Sequence, residues 1–256
     1  SETCATVAIY LCNGETMTRA CPVCGEELSS TPSRSLNGVD VCSPGCCSVL
    51  INRDIALANG DMYDADYFLR GKETGKSLYE NYRWMPELTI PMVKNIVSRI
   101  GINTDHIVLD FGCARGYTVR ALREIGIDAY GVDLSQWAIE NCDPAVNGLV
   151  SCTSEIPPGI DWVIMKDVLE HVPRVADTIG GIMDAAQVGV FAVIPLSAQD
   201  NMPYIIPDYE LDITHIHRLT LASWARMFIR HGWSVECRYR LRGIKDNYHG
   251  WLSWIR

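Results

Sequence analysis

No stretch of this 256-residue chain approaches the roughly 18 consecutive apolar residues that a membrane-spanning helix needs. The N-terminal "SETCATVAIYLCNGE" carries a short apolar patch without a basic flank before it, a poor match to a secretory signal. An excess of positive charge is missing as well. The net charge is −9, which argues against indiscriminate attraction to nucleic acid. The 11 cysteines lack the even count of a secreted disulfide framework, and they cluster early in the chain. The expectation from these features is a cytoplasmic protein with no membrane partner. What is present is 48% hydrophobic and 21% charged residues, enough apolar material for a sizeable core.

Charge is unevenly spread. From Arg218 onward, Arg226, Arg230, Arg238, Arg240, Arg242, Lys245 and Arg256 face only Glu236 and Asp246, a basic end on an acidic protein. Arg238, Arg240 and Arg242 alternate on a predicted strand and share one face. That face is either solvated or a docking surface for an acidic acceptor or a nucleic-acid backbone.

Residues 1–60 read as a small metal-binding module. Cys21-Pro22-Val23-Cys24-Gly25 and Cys42-Ser43-Pro44-Gly45-Cys46 are two close thiol pairs, and four thiolates suit tetrahedral zinc. Cys47 is an alternative to Cys46 as fourth ligand. With four thiolates the shell is closed, so the zinc is expected to be structural. The polar "EELSSTPSRSLNGVD" between the pairs should be a loop or small hairpin. "CSVLINRDIALANG" should be a short helix ending at Gly60. The form C-x-x-C-G followed by C-S-x-x-C resembles zinc-ribbon and treble-clef knuckles.

Residues 61–100 form a cover segment rich in aromatics: Tyr63, Tyr67, Phe68, Tyr79, Tyr82 and Trp84. Ile90, Val93, Ile96, Val97 and Ile100 recur at helical spacing in "PELTIPMVKNIVSRIGI". The segment is either a packing layer or a lid that walls a pocket.

Residues 101–256 alternate strand and helix. "HIVLD", "DAYGVDL", "GLVSC", "DWVIMKD" and "VGVFAVIPL" read as strands. "GYTVRALREIG", "SQWAIENC" with Ser135 as N-cap, "RVADTIGGIMDAAQ" and "TLASWARMFIRHG" read as helices. This implies an α/β, doubly wound sheet with helices on both faces. "WSVECRYRLR" and "NYHGWLSWI" follow with no helix between them and are expected as an antiparallel pair at a sheet edge. Ligands on such sheets bind at the carboxyl ends of the strands.

At the first of those ends lies Asp110-Phe111-Gly112-Cys113-Ala114-Arg115-Gly116. It does not fit the nicotinamide fingerprint G-x-G-x-x-G. An acid followed by small residues at alternate positions suits a ligand that carries an ammonium and a carboxylate but no phosphate. The acid attracts the ammonium, and the turn's N–H groups and the helix start favour the carboxylate. Ala114 stands where a second close glycine is often found, and its methyl is expected to be tolerated at negative φ. Asp133, at the end of the next strand, is placed to accept hydrogen bonds from ribose hydroxyls. "DWVIMKDVLEHVP" is the third marker.

Asp110 to Gly116, Asp133 and "DVLEHV", in this order, resemble the class I S-adenosylmethionine-dependent methyltransferases over roughly residues 100 to 256. The resemblance implies a Rossmann-like, seven-stranded sheet with a reversed last strand. It also implies S-adenosylmethionine as methyl donor. Gly112, Cys113, Ala114 and Gly116 would then line the methionine part, Asp133 the ribose and Leu134 the adenine face. Thr153 or Ser154 would meet the adenine edge, and Lys166 or Asp167 would lie near the sulfonium. His171, His215 and His217 are the candidate catalytic bases. His215 and His217, two apart in "DITHIHRLT", would point the same way if extended and could hold an ion or substrate. The layout is similar to bacterial methyltransferases of surface-glycan or secondary-metabolite pathways, which implies a small-molecule or glycan acceptor. A nucleic-acid or protein methyltransferase docking through the zinc module and basic end is the alternative. A non-catalytic binding module on a methyltransferase fold is the third reading.

Overall fold

The computed structural model describes residues 60–195, residues 221–236 and Asp212, Thr214, His215, His217 and Leu219, together with three short strands near the N-terminus. Those strands are β1 (Arg34–Leu36), β2 (Val39–Val41) and β3 (Ile51–Asn52). They pair antiparallel in the order β1-β2-β3. The hairpin expected before Cys42 is therefore present. The helix expected over "CSVLINRDIALANG" is not formed at Ile51–Asn52, which extends along β2 instead. A short apolar run fits strand and helix equally well, and here the open edge of β2 decides. Cys21, Cys24, Cys42, Cys46 and Cys47 lie outside the described residues.

The main sheet has five parallel strands in the order β6-β5-β4-β7-β8. They are β4 (Ile107–Phe111), β5 (Asp128–Asp133), β6 (Val150–Cys152), β7 (Trp162–Lys166) and β8 (Gly189–Val193). The order reverses between β4 and β7. This is the Rossmann-like α/β arrangement, with its crevice outside the ends of the central strands. The sixth and seventh strands expected from the sequence fall largely outside the described residues. Trp233–Glu236 are described and carry no sheet pairing.

The central strands are apolar on both sides because both sides are covered. Leu109, Val163 and Met165 point to one layer, where they meet Ile179, Ile182, Met183, Trp224 and Met227. Val108 and Ile164 point to the other, against Met92, Val93, Ile96, Val119 and Leu122. Full burial of each such Leu, Ile or Met contributes about 1.5–3 kcal/mol. The helices that supply these partners are α2 (Pro86–Ile100) and α3 (Tyr117–Glu124) on one face. On the other are α5 (Val175–Ala185) and α6 (Leu221–Arg230). Gly180 and Gly181 do not break α5. A side chain at Gly180 would come 2.8 Å from Cε1 of His231, so this glycine permits the close approach of the end of α6.

The cover segment opens with α1 (Ala65–Thr74), whose N-cap Asp64 accepts from the Tyr67 N–H. Tyr63, Tyr67, Phe68, Tyr79 and Tyr82 form an aromatic cluster that closes on Trp137 of α4 (Gln136–Glu140). Phe68 stacks on Trp137 with ring centroids 5.6 Å apart. The Ser135 hydroxyl caps α4, as expected, and also donates to the Tyr63 carbonyl. No helix among the described residues is long and apolar enough to cross a membrane.

Candidate active site

The turn after β4 is built by its glycines. Gly112 and Gly116 have φ of +80° and +79°. A methyl at Gly112 would sit 2.4 Å from Cγ2 of Val168, and one at Gly116 2.7 Å from Cγ2 of Val146. Ala114 also lies in the left-handed region, at φ +49°, which corrects the expectation of a negative value. The reason is a latch: this conformation lets the Ala114 N–H donate to Oδ2 of Asp133 at 2.7 Å. The N–H groups of Gly112 and Cys113 donate to the Val132 carbonyl, and that of Gly116 to the Cys113 carbonyl. These four donors are therefore spent inside the turn rather than offered to a ligand carboxylate. The start of α3, by contrast, has no side-chain cap at Gly116, so its first-turn N–H groups remain the anion-favouring feature.

Two carboxylates stand at the strand ends. Asp110 is 4% exposed. Burial, reinforced by the negative charge of Asp133 and opposed by Lys166 and the Thr118 hydroxyl, pushes its pKa up to about 7. Asp133 accepts from Ala114 through Oδ2 and from the Ser135 N–H through Oδ1. Burial raises its pKa against those donors. The Leu134 N–H also favours the carboxylate, and with about four acceptor positions on its two oxygens the group keeps acceptor capacity beyond these three donors. Leu134 is 55% exposed, and its carbonyl closely abuts Gly60 of the cover segment. Thr153 donates its N–H to the Asp133 carbonyl, whereas Ser154 is exposed. Cys113 is buried against Gly131, and burial pushes its thiol well above the usual range. At the end of β7, Lys166 pairs with Asp167 at 2.6 Å, and Asp167 sits at φ +55°.

Beyond Asp167, a single-turn 3-10 helix over Leu169–His171 brings a polar cluster to the same edge. Oε1 of Glu170 lies 3.9 Å from Nε2 of His171 and 3.9 Å from Nε2 of His215. The two imidazoles are edge-to-face at 4.7 Å. His171 Nδ1 lies 3.1 Å from the Thr214 carbonyl and 2.8 Å from its hydroxyl. That hydroxyl donates to Asp212 Oδ1, and Oδ2 of Asp212 accepts from the Tyr67 hydroxyl at 3.1 Å. Tyr63 closes the group, its ring 6.1 Å from that of His171. Burial, the neighbouring Asp212 and Asp133 push its phenol well above the usual value.

His217 goes elsewhere. Its Nε2 meets the Val172 carbonyl at 2.7 Å and its ring faces Trp224. The chain turns at Thr214, with the His215 N–H on the Asp212 carbonyl, so the segment is not extended and the two histidines do not form one pair. Burial lowers both His171 and His217 to about 4, so both are neutral imidazoles.

A family model described as a methyltransferase domain matches residues 84–238. The chain belongs to this methyltransferase family. It is an S-adenosylmethionine-dependent methyltransferase. No curated protein sequence matches it. Among solved structures it is similar to SpnF, named a [4+2]-cyclase, at 17% identity over 67% of this chain and 71% of that one, with a TM-score of 0.51. A Haloferax volcanii complex of the Trm112 methyltransferase activator with a putative methyltransferase aligns at 17% identity over 70% and 78%, TM-score 0.46. The plantazolicin methyltransferase BpumL, bound to SAH, aligns at 15% identity over 68% and 71%, TM-score 0.47. At such identities the likeness speaks to the fold.

In this methyltransferase the residues read from sequence fall into two groups. Asp110, Gly112, Cys113, Ala114, Gly116, Asp133, Leu134 and Thr153 gather around the ends of β4, β5 and β6. Lys166, Asp167, His171 and His215 gather beyond β7. Sequence reasoning passed over Glu170, Asp212 and Thr214 as functional residues. Glu170 is fully buried, and its signal was its place beside His171 in "DVLEHV". Asp212 and Thr214 carried only the hint of an Asx turn, "D-x-T".

Proposed function

We propose that the chain transfers a methyl group from S-adenosylmethionine to a small polar molecule or glycan precursor. The observation that carries this reading is the buried Glu170–His171–His215 cluster at the carboxyl edge of the sheet, next to Asp167 and under Tyr63. A polar group enclosed in this way suits a compact polar acceptor better than a long polymer.

The residues present fit the donor. Gly112 and Gly116, at positive φ and packed against Val168 and Val146, set the tight turn against which the donor would lie. The buried Asp110 carboxyl, raised by burial, is a natural partner for an ammonium. The uncapped start of α3 suits a carboxylate. The remaining acceptor capacity of Asp133 would take the ribose hydroxyls, Leu134 would cover adenine, and Thr153 or Ser154 would meet its edge. Lys166 and Asp167 would border the sulfonium. When bound, the donor supplies an electrophilic methyl on sulfur. The protein's part is to align the acceptor in line with that methyl and to exclude water. His171 and His215 are the groups that would hold or deprotonate the acceptor, with Asp212 and Thr214 fixing His171. His217, turned to Val172, would support the 3-10 turn. Cys21, Cys24, Cys42 and Cys46 would hold a structural zinc.

The test is calorimetric binding of S-adenosylmethionine, followed by transfer of labelled methyl into an extract split into nucleic acid, protein and small molecules. Binding that Asp133→Ala abolishes, with label in the small-molecule fraction, is expected. Label in RNA, DNA or protein would replace the acceptor class. Absence of donor binding would overturn the reading.

A further inference from the structure

We propose that Glu170, His171 and His215 form a binding site for one divalent first-row transition ion, of the zinc or manganese class, on the acceptor side of the methyltransferase. Its role in transfer rests on the function proposed above; the binding of the ion does not.

The geometry comes first. One carboxylate oxygen and two imidazole nitrogens lie within 4.8 Å of one another, on residues that are buried or nearly so. Ligands about 2.0–2.1 Å from a tetrahedral zinc stand roughly 3.3 Å apart. The 3.9 Å from Glu170 to each histidine is therefore about half an ångström too long, and the two imidazole nitrogens, within 4.8 Å of each other, have up to about 1.5 Å to close by turning their rings. The donor set comes next. Two nitrogens and one oxygen suit zinc, manganese or cobalt and do not suit the all-oxygen shells of magnesium and calcium.

The tautomer of His171 is fixed by its neighbours. The Thr214 hydroxyl gives its hydrogen to Asp212, so it can only accept from His171. The Thr214 carbonyl is an acceptor too. Nδ1 of His171 therefore carries the proton, and the lone pair on Nε2 is directed toward Glu170. A ring N–H anchored by a carbonyl and a carboxylate-held hydroxyl is what a metal-binding histidine uses to set its orientation. Three protein ligands leave a position open, the pattern of catalytic rather than structural sites. Glu170 is closed off, while the His171 and His215 side chains are each 12% exposed, so the open position lies on the histidine side.

An ion there would take an acceptor hydroxyl as a further ligand and ease its ionisation. The hydroxyl proton leaves to water. The oxygen forms a bond to the methyl carbon as the carbon–sulfur bond breaks, its electron pair going to sulfur.

The experiment uses the full chain, stripped with chelator and reloaded with Zn2+ or Co2+. Glu170→Gln and His215→Ala should each hold one ion fewer than the parent, whatever the N-terminal thiolates bind. Thr214→Val should weaken Co2+ binding at this site by about 10- to 100-fold. Equal metal content in parent and variants would overturn the proposal and leave a proton shared within the cluster. If the variants do not fold, the Co2+ spectrum of the parent decides. A nitrogen- and oxygen-ligated band beside any thiolate charge transfer is required, and thiolate bands alone overturn the site. Donor binding is measured on the same samples. A parent that binds metal but no S-adenosylmethionine would sink the functional reading and leave the metal site standing.

Discussion

The backbone N–H of Ala114 donates to Oδ2 of Asp133 across 2.7 Å, tying the turn after β4 to the end of β5. The other carboxylate oxygen accepts from Ser135 at the start of α4. One side chain thus holds together the turn after β4, the end of β5 and the start of α4. Asp133→Asn cannot do the same. An amide offers a single acceptor oxygen, so its NH2 must face one of the two backbone donors. This substitution should cost about 1–3 kcal/mol of stability, as expected when a buried donor loses its acceptor. Thermal unfolding of the ligand-free chain reads that loss, and calorimetry should show weaker S-adenosylmethionine binding. An unchanged melting temperature would mean that the latch contributes nothing.

Ala114 carries the conformational burden of that latch. A non-glycine residue in the left-handed region is less favourable by about 1–2 kcal/mol. Glycine there would relieve the strain but lose about 0.4–1 kcal/mol through the more flexible unfolded chain. Ala114→Gly should therefore be neutral to mildly stabilising, by no more than about 1.6 kcal/mol. Ala114→Val adds β-branching to a positive φ and should be clearly destabilising. Chemical denaturation of the two variants side by side checks the order.

The adjacent glycines of α5 should part company. At Gly181 an added methyl meets nothing within 4 Å, so Gly181→Ala should gain about 0.5–1 kcal/mol from helix propensity alone. At Gly180 the same methyl arrives 2.8 Å from the His231 ring, which must swing away and surrender its contact. Gly180→Ala should gain less than Gly181→Ala, or lose stability. Urea midpoints that rank the two the other way would show that α6 does not pack here as described.

Much of the scaffold was legible because its signals are local. "HIVLD" and "DWVIMKD" are apolar on both sides of the chain, as strands buried on both faces must be, and both are strands within a residue or two. Ser135 was readable as a cap because a hydroxyl before a helical run has a specific use. "CSVLIN" was misread at Ile51–Asn52 because two or three apolar residues do not distinguish periods, and pairing with β2 is a long-range fact. The candidate site was legible by halves. The small residues and Asp133 are proposed from ligand chemistry and do meet at the ends of β4 and β5, but the internal use of the turn's N–H groups depends on where Val132 lies in space. Glu170 was passed over for a related reason. A glutamate beside a histidine reads as a solvated helix start until the fold buries it.

With Asp110 as the proposed partner of the donor's ammonium, donor binding is expected to depend on pH. Its pKa is raised from 3.8 to about 7, so the folded chain without donor holds a proton that the unfolded chain releases at much lower pH. The associated stability is fully present below about pH 4 and is lost as pH rises through about 7. The ligand-free chain should thus lose stability across that window. An ammonium beside Asp110 favours the carboxylate and reverses the preference. The melting-temperature rise produced by saturating S-adenosylmethionine should therefore be larger at pH 8 than at pH 6, and its affinity should increase over the same interval. Asp133, Lys166 and Thr118 are the neighbours that set the midpoint. Asp110→Asn removes the titrating group, so its donor-induced shift should be smaller and flat between pH 6 and 8. A pH-dependent shift that persists in Asp110→Asn would assign the proton to another group.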